Sequence, residues 1–169
     1  MMQHPVPEKL LARIGDVTVS FALLESVIQT FVGSLIAEHQ RVGQIITVEV
    51  SFRNLRALAM SLYKERHGED ADYEALKTLM RRASQLEDKR NQITHSVWGA
   101  GRTIDTITRV KATAKEKKGL HFEFESLGEN ELVQIASDLK QLAQDVQQFW
   151  ILLLKAGKAI NNPTQKFWP

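Results

Sequence analysis

Residues 10–36 read LLARIGDVTVSFALLESVIQTFVGSLI, and the spacing of apolar positions in this stretch decides the fold class. Leu10, Ile14, Val17, Phe21, Leu24, Ile28, Phe31 and Leu35 follow one another in alternating steps of four and three. Such steps keep every one of these side chains on one face of an α-helix. Leu11, Val27, Val32 and Ile36 widen the stripe to the breadth of a helix buried in a bundle, wider than a coiled-coil seam. Pro5 and Pro7 stand just ahead, where a missing N–H is tolerated. The spacing predicts a helix over about 7–38.

The same rhythm recurs further along. Phe52, Leu55, Leu58/Ala59 and Leu62 predict a second helix from Thr47 or Ser51 to Glu65, stopped by His67-Gly68. Leu76, Leu79, Ala83, Leu86, Arg90, Ile93 and Val97 predict a third, capped by Asp70 or Asp72 and ended by Gly99 and Gly101. Leu132, Ile135, Leu139, Leu142, Val146, Phe149 and Leu153 predict a fourth. It opens on a Ser126-x-x-Glu129 capping box and closes near Ala156-Gly157. Between the last two the period changes to two. Val110, Ala112 and Ala114 alternate with Arg109, Lys111, Thr113 and Lys115, and Leu120, Phe122 and Phe124 alternate with His121, Glu123 and Glu125. Around Lys117-Lys118-Gly119 this reads as a β-hairpin at about 103–127, whose Phe122/Phe124 face is expected to pack on the helices. The fold class is therefore mainly α: an up-down bundle of four main helices with a hairpin inserted before the last. Residues 1–160 read as one domain and 161–169 as a C-terminal tail.

Composition narrows the chemistry. The chain has 169 residues, 43% of them hydrophobic, enough for a core of its own. A net charge of +2 predicts no uniformly basic surface. The absence of cysteine excludes disulfides, thiolate metal sites and a cysteine nucleophile. His4, His39, His67 and His121 show no metal-ligand spacing, so neither a metal nor another cofactor is expected. Residues 1–7 lack the pattern of a secretory signal, and the longest apolar run, Phe149–Leu154, is short for a membrane span. The expected location is the cytoplasm, without membrane association.

Arg90 is the one charged residue on the third stripe. A guanidinium there costs several kcal/mol, on the order expected for desolvation, unless it is paired or reaches water. Asn91 and His95, four apart, share a helix face, about 40° from each other, and Arg90 lies beside them. A fixed cation, an amide and an imidazole together suit gripping a phosphate and moving a proton. Arg53-Asn54 has no histidine four to six residues on. A second reading of the same residues is structural. Arg90 would pair with Glu25 on the first helix or with another carboxylate, His95 would sit in the core, and Asn91 would cap a loop.

Arg90-Asn91-x-x-x-His95, late in a helix of a small helical bundle, resembles the Arg-x(4–6)-His motif of the HEPN superfamily. Phe21-x-x-Leu24-Glu25 on the long first helix also resembles helices of that family. The resemblance implies a homodimer whose paired motifs line a cleft, and metal-independent RNA cleavage with the 2′-hydroxyl as nucleophile. It implies that Arg90 holds the scissile phosphate, His95 transfers protons, and Asn91, with Glu25 in support, orients the site. An endoribonuclease of toxin or defence type, with RNA as substrate and an antitoxin as partner, is the function implied. The competing expectation is a non-catalytic interaction or dimerisation module in which the three residues form a structural polar cluster. Lys115, Lys117 and Lys118 near the hairpin turn are candidate RNA-backbone contacts, or else a solvated turn that discourages edge pairing.

Overall fold

The periodic segments become helices, with ends set by local chemistry. The computed structural model of the protein describes residues 5–37, 39–103, 106–115 and 119–159, without the side chains of 40 and 113–115. Within these residues the order is α1 (Glu8–Ile36), α2 (Gln40–Thr47), α3 (Phe52–His67), α4 (Ala71–Thr94), β1 (Val97–Ala100), β2 (Thr106–Lys115), β3 (Gly119–Gly128) and α5 (Glu129–Lys155). The chain is mainly helical, with a small antiparallel sheet of order β1-β2-β3 before the last helix. The tail at 161–169 lies outside the described residues. By length and composition α1 is apolar enough to cross a membrane, and half of its most apolar stretch is buried in the structure.

The predicted helix starts are chemically specific. Ser51 accepts from the Asn54 N–H (3.4 Å) at the start of α3, and Asp70 accepts from the Tyr73 N–H (2.9 Å) at the start of α4. Gly68, at φ 77°, terminates α3 in a conformation costly for any residue with a Cβ. The last helix starts differently from the expectation. Glu131 reaches back to the Gly128 N–H (2.8 Å), so the box sits two residues beyond Ser126-x-x-Glu129. Ser126 is a strand residue opposite Thr108, and ladder pairing there displaces the cap. At the far end the N–H groups of Gly157 and Lys158 bond to the carbonyls of Leu154 and Leu153, the paired bonds of a Schellman stop.

Two elements are absent from the periodic reading. Helix α2 has no buried apolar stripe; Val42, Ile45 and Ile46 are exposed while Gly43 is buried. A Cβ on Gly43 would lie 2.8 Å from the Gly33 carbonyl oxygen, so α1 and α2 touch backbone to backbone. Strand β1 occupies residues that the stripe assigned to a longer third helix. Helix α4 stops at Thr94, and Val97 to Ala100 pair instead with Val110 to Ile107, which leaves Val97 exposed and Gly99 in a strand.

The residues gather into two compact units, Met1–Phe21 with Leu86–Leu139, and Ala22–Gln85 with Lys140–Pro169. In the second, Leu24, Ile28, Phe31, Leu55, Leu76, Val146 and Phe149 are buried, and Phe31 meets Phe149 edge-on at 6.1 Å. Arg82 pairs there with Asp145 on α5 at 2.7 Å. In the first, Leu10, Val17, Phe21, Leu86, Ile93, Ile107, Leu132 and Leu139 form the core. Lys9 and Arg13 of α1 both bind Glu129, which opens α5.

The sheet, in this first unit, faces the opposite way from the expected hairpin. Ile107 and Leu127 stand opposite each other and are the buried pair. Side chains alternate along a strand, so Arg109 and Glu125 fall on the Ile107/Leu127 face, while Val110, Phe122 and Phe124 fall on the other. Arg109 is only 9% exposed and pairs with Glu125 at 2.5 Å. Phe122 and Phe124 are 48% and 68% exposed and stack on each other instead of on the helices.

Candidate active site at the end of α4

The motif lies at the C-terminal end of α4, where the carbonyls of Arg90 to Ile93 accept from residues at and beyond the helix end. The His95 N–H bonds to the Asn91 carbonyl (3.1 Å), Thr94 Oγ1 to that of Arg90 (3.0 Å), Ser96 Oγ to that of Gln92 (2.5 Å) and Trp98 Nε1 to that of Ile93 (2.9 Å). A helix end would otherwise leave its last four carbonyls without intrahelical donors. The hydroxyls of Thr94 and Ser96 and the indole of Trp98 thus satisfy carbonyls where the helix stops.

Arg90 is half-buried. Its Cζ stands 4.6 Å from the centroid of the Phe21 ring, and Nη1 donates to Asn91 Oδ1 at 2.9 Å. Nε is buried with no acceptor among the described residues. Among the described residues of its unit Arg90 has no carboxylate partner, and a single acceptor engages a group with five N–H donors. The guanidinium is therefore held by an aromatic face and a neutral amide. His95 follows the helix immediately and is exposed, not a core histidine; Asn91 is half-buried on the same side of the helix.

Glu25 belongs to the second unit, where it lines a cavity of about 220 Å³ with Ser26, Gln29, Val50 and Leu55. Lys117 and Lys118, and the side chain of Lys115, lie outside the described residues. Among the described residues no three of His, Asp and Glu converge as a metal-ligand set.

Sequence reasoning missed two features. Phe21 was one apolar stripe position among eight, and nothing in its spacing marks it as the platform for Arg90. The second is a cavity of about 290 Å³ on a different face of α4, lined by Lys89, Gln92 and Ile93 with Arg109, Glu125, Leu127, Glu131, Gln134 and Ile135. Its signal was available: Arg109 is two residues from Ile107, which places both on one face of β2. No protein-family model, curated protein or solved structure matches the chain.

Proposed function

We propose that the protein is a HEPN-like, metal-independent endoribonuclease of toxin or defence type. In this reading it acts as a homodimer in the cytoplasm, is restrained by an antitoxin partner, and is built on an up-down helical bundle. The observation that carries the reading is the state of Arg90: held by Phe21 and Asn91, without a carboxylate partner among the described residues of its unit, beside an exposed His95. A guanidinium so placed suits a phosphate, which accepts two N–H bonds and supplies the missing negative charge. In the reaction the RNA 2′-hydroxyl attacks the adjacent phosphorus, and the 5′-oxygen of the next nucleotide leaves. A 2′,3′-cyclic phosphate and a 5′-hydroxyl result. Arg90 neutralises the phosphate as charge builds on its oxygens, His95 carries a proton to or from the oxygens that exchange, and Asn91 aims the guanidinium.

The test is cleavage of total RNA by the purified protein in EDTA, with Arg90→Ala and His95→Ala alongside. Wild type is expected to cut and to leave 5′-hydroxyl ends, and each variant to lose about 10²-fold or more in rate. Cleavage that survives in both variants, or that requires added metal, rules out the assigned chemistry. The second reading, a non-catalytic interaction module, is favoured by the exposed apolar face of the sheet. It predicts no cleavage in any arm.

A further inference from the structure

Strand β3 closes one side of the sheet, and its outer edge has no partner strand among the described residues. Residues 119–126 are exposed throughout. Edge strands in natural proteins are ordinarily blunted by charged side chains (above all lysine), proline, short length or a cover. The charges of β3, Glu123 and Glu125, are paired with Lys111 and Arg109 of β2. β3 has ten residues, Gly119–Gly128, and contains neither lysine nor proline. Its solvent face carries Leu120, Phe122 and Phe124, 66%, 48% and 68% exposed, and this face continues across Val110 to Val97, itself 73% exposed.

We propose that β3 pairs antiparallel with β3 of a second copy of this chain, about a two-fold axis at Phe122, so that two three-stranded sheets become one of six. The strand is complementary to itself in this register. Phe122 faces Phe122 of the copy, Leu120 faces Phe124, and on the other face His121 stands opposite Glu123. Shifting the axis to Glu123 would oppose Glu123 to itself and Leu120 to Ser126. Shifting it to His121 would oppose His121 to itself and Phe124 to Lys118. Only the register centred on Phe122 gives each of Leu120, Phe122 and Phe124 an apolar partner while avoiding like charges. Pairing along the edge supplies main-chain hydrogen bonds to the strand and brings Leu120, Phe122 and Phe124 into cross-strand contact with their counterparts in the copy. A two-fold axis makes this contact closed, so the exposed edge is consumed instead of propagating.

This inference supplies an interface for the homodimer proposed above but does not require that Arg90 cleave RNA. Failure of the RNA assay would leave it standing; a wild-type monomer would also remove the homodimer from that reading, whereas a Phe124→Lys dimer as stable as wild type would overturn this interface alone. The full chain is examined by sedimentation across a dilution series, with Phe124→Lys, Phe122→Cys and Ser126→Cys. Wild type is expected at twice the 19.2 kDa chain mass. Phe124→Lys is expected at the single mass with an unchanged helical circular dichroism spectrum, because its side chain is not in the core. The chain has no cysteine of its own, so Phe122→Cys reports directly on the axis. Residues directly opposite in an antiparallel pair are about 4.5–5.5 Å apart at Cα, within disulfide reach. Mild oxidation is expected to cross-link Phe122→Cys rapidly and Ser126→Cys slowly. A wild-type monomer at every concentration, a Phe124→Lys dimer as stable as wild type, or equal cross-linking at 122 and 126 would each overturn the proposal.

Discussion

Phe21 and Asn91 hold a cation in a half-buried position where a carboxylate would be the ordinary partner. The aromatic face contributes about 0.5–2 kcal/mol to holding the guanidinium. Replacing Phe21 by Leu keeps an apolar side chain of similar volume, so the expected loss of stability stays below about 1.5 kcal/mol. What is lost is the direction of Arg90. We expect Phe21→Leu to lower the rate of RNA cleavage at least tenfold while the thermal midpoint falls by only a few degrees, roughly as such a stability loss requires. Cleavage at the wild-type rate in a folded Phe21→Leu protein would remove Phe21 from the site. That Arg90 is anomalous was legible, because a single charge interrupts an apolar stripe. That its partners are an aromatic ring and its own neighbour was not, since stripe spacing says which face a side chain is on and nothing about what faces it.

At the scale of elements, α2 and the sheet depart most from the periodic reading. Helix α2 is held where glycine meets glycine, and a side chain at Gly43 would strike backbone at Gly33, which cannot rotate away. Gly43→Ala, normally neutral or favourable in a helix, is expected to destabilise the protein by about 1–3 kcal/mol, the usual cost of overpacking. Urea denaturation measures this, and a midpoint equal to wild type would mean that the two backbones do not approach so closely. In the sheet the alternation was legible but its direction was not. A period of two divides residues between two faces without stating which is covered. Two candidate sets were available, one with three apolar residues on β3 and one with Arg109 and Glu125. The second is covered because Ile107 and Leu127, at the base of the ladder, are the pair buried in the first unit's core, and one buried pair commits every other residue by parity.

At the scale of the whole molecule, one polar cluster joins segments far apart in sequence. Lys158, just beyond α5, reaches Asp70 and Asp72, each at 2.6 Å, and Tyr63 at 3.3 Å, while His67 Nε2 lies 2.9 Å from the Lys158 carbonyl oxygen. The Lys158 ammonium and then the Tyr73 N–H hold the Asp70 carboxyl down to about 2, from an ordinary 3.8. The same contacts with Asp70 and Asp72 push the Lys158 ammonium upward. A carboxyl with a depressed folded pKa stabilises the protein above its unfolded value, and that stabilisation is lost as pH falls through the folded value. The midpoint of urea unfolding is therefore expected to drop between about pH 4 and pH 2. In Asp70→Asn this part of the slope is expected to vanish, the protein being less stable than wild type at neutral pH. An unchanged acid slope in that variant would show that other carboxylates set it.

The sequence by itself determined that the chain is mainly helical, roughly where α1, α3, α4 and α5 lie, that antiparallel strands precede the last helix, and that Arg90 is the one charge on an apolar stripe. Each of these follows from periodicity or from a local cap, interactions spanning only a few residues. Tertiary structure decided the rest: the glycine contact that seats α2, the end of α4 and its replacement by β1, the face of the sheet that is covered, and the ring beneath Arg90. These depend on which surfaces meet, and a one-dimensional pattern records the faces of an element without naming their partners.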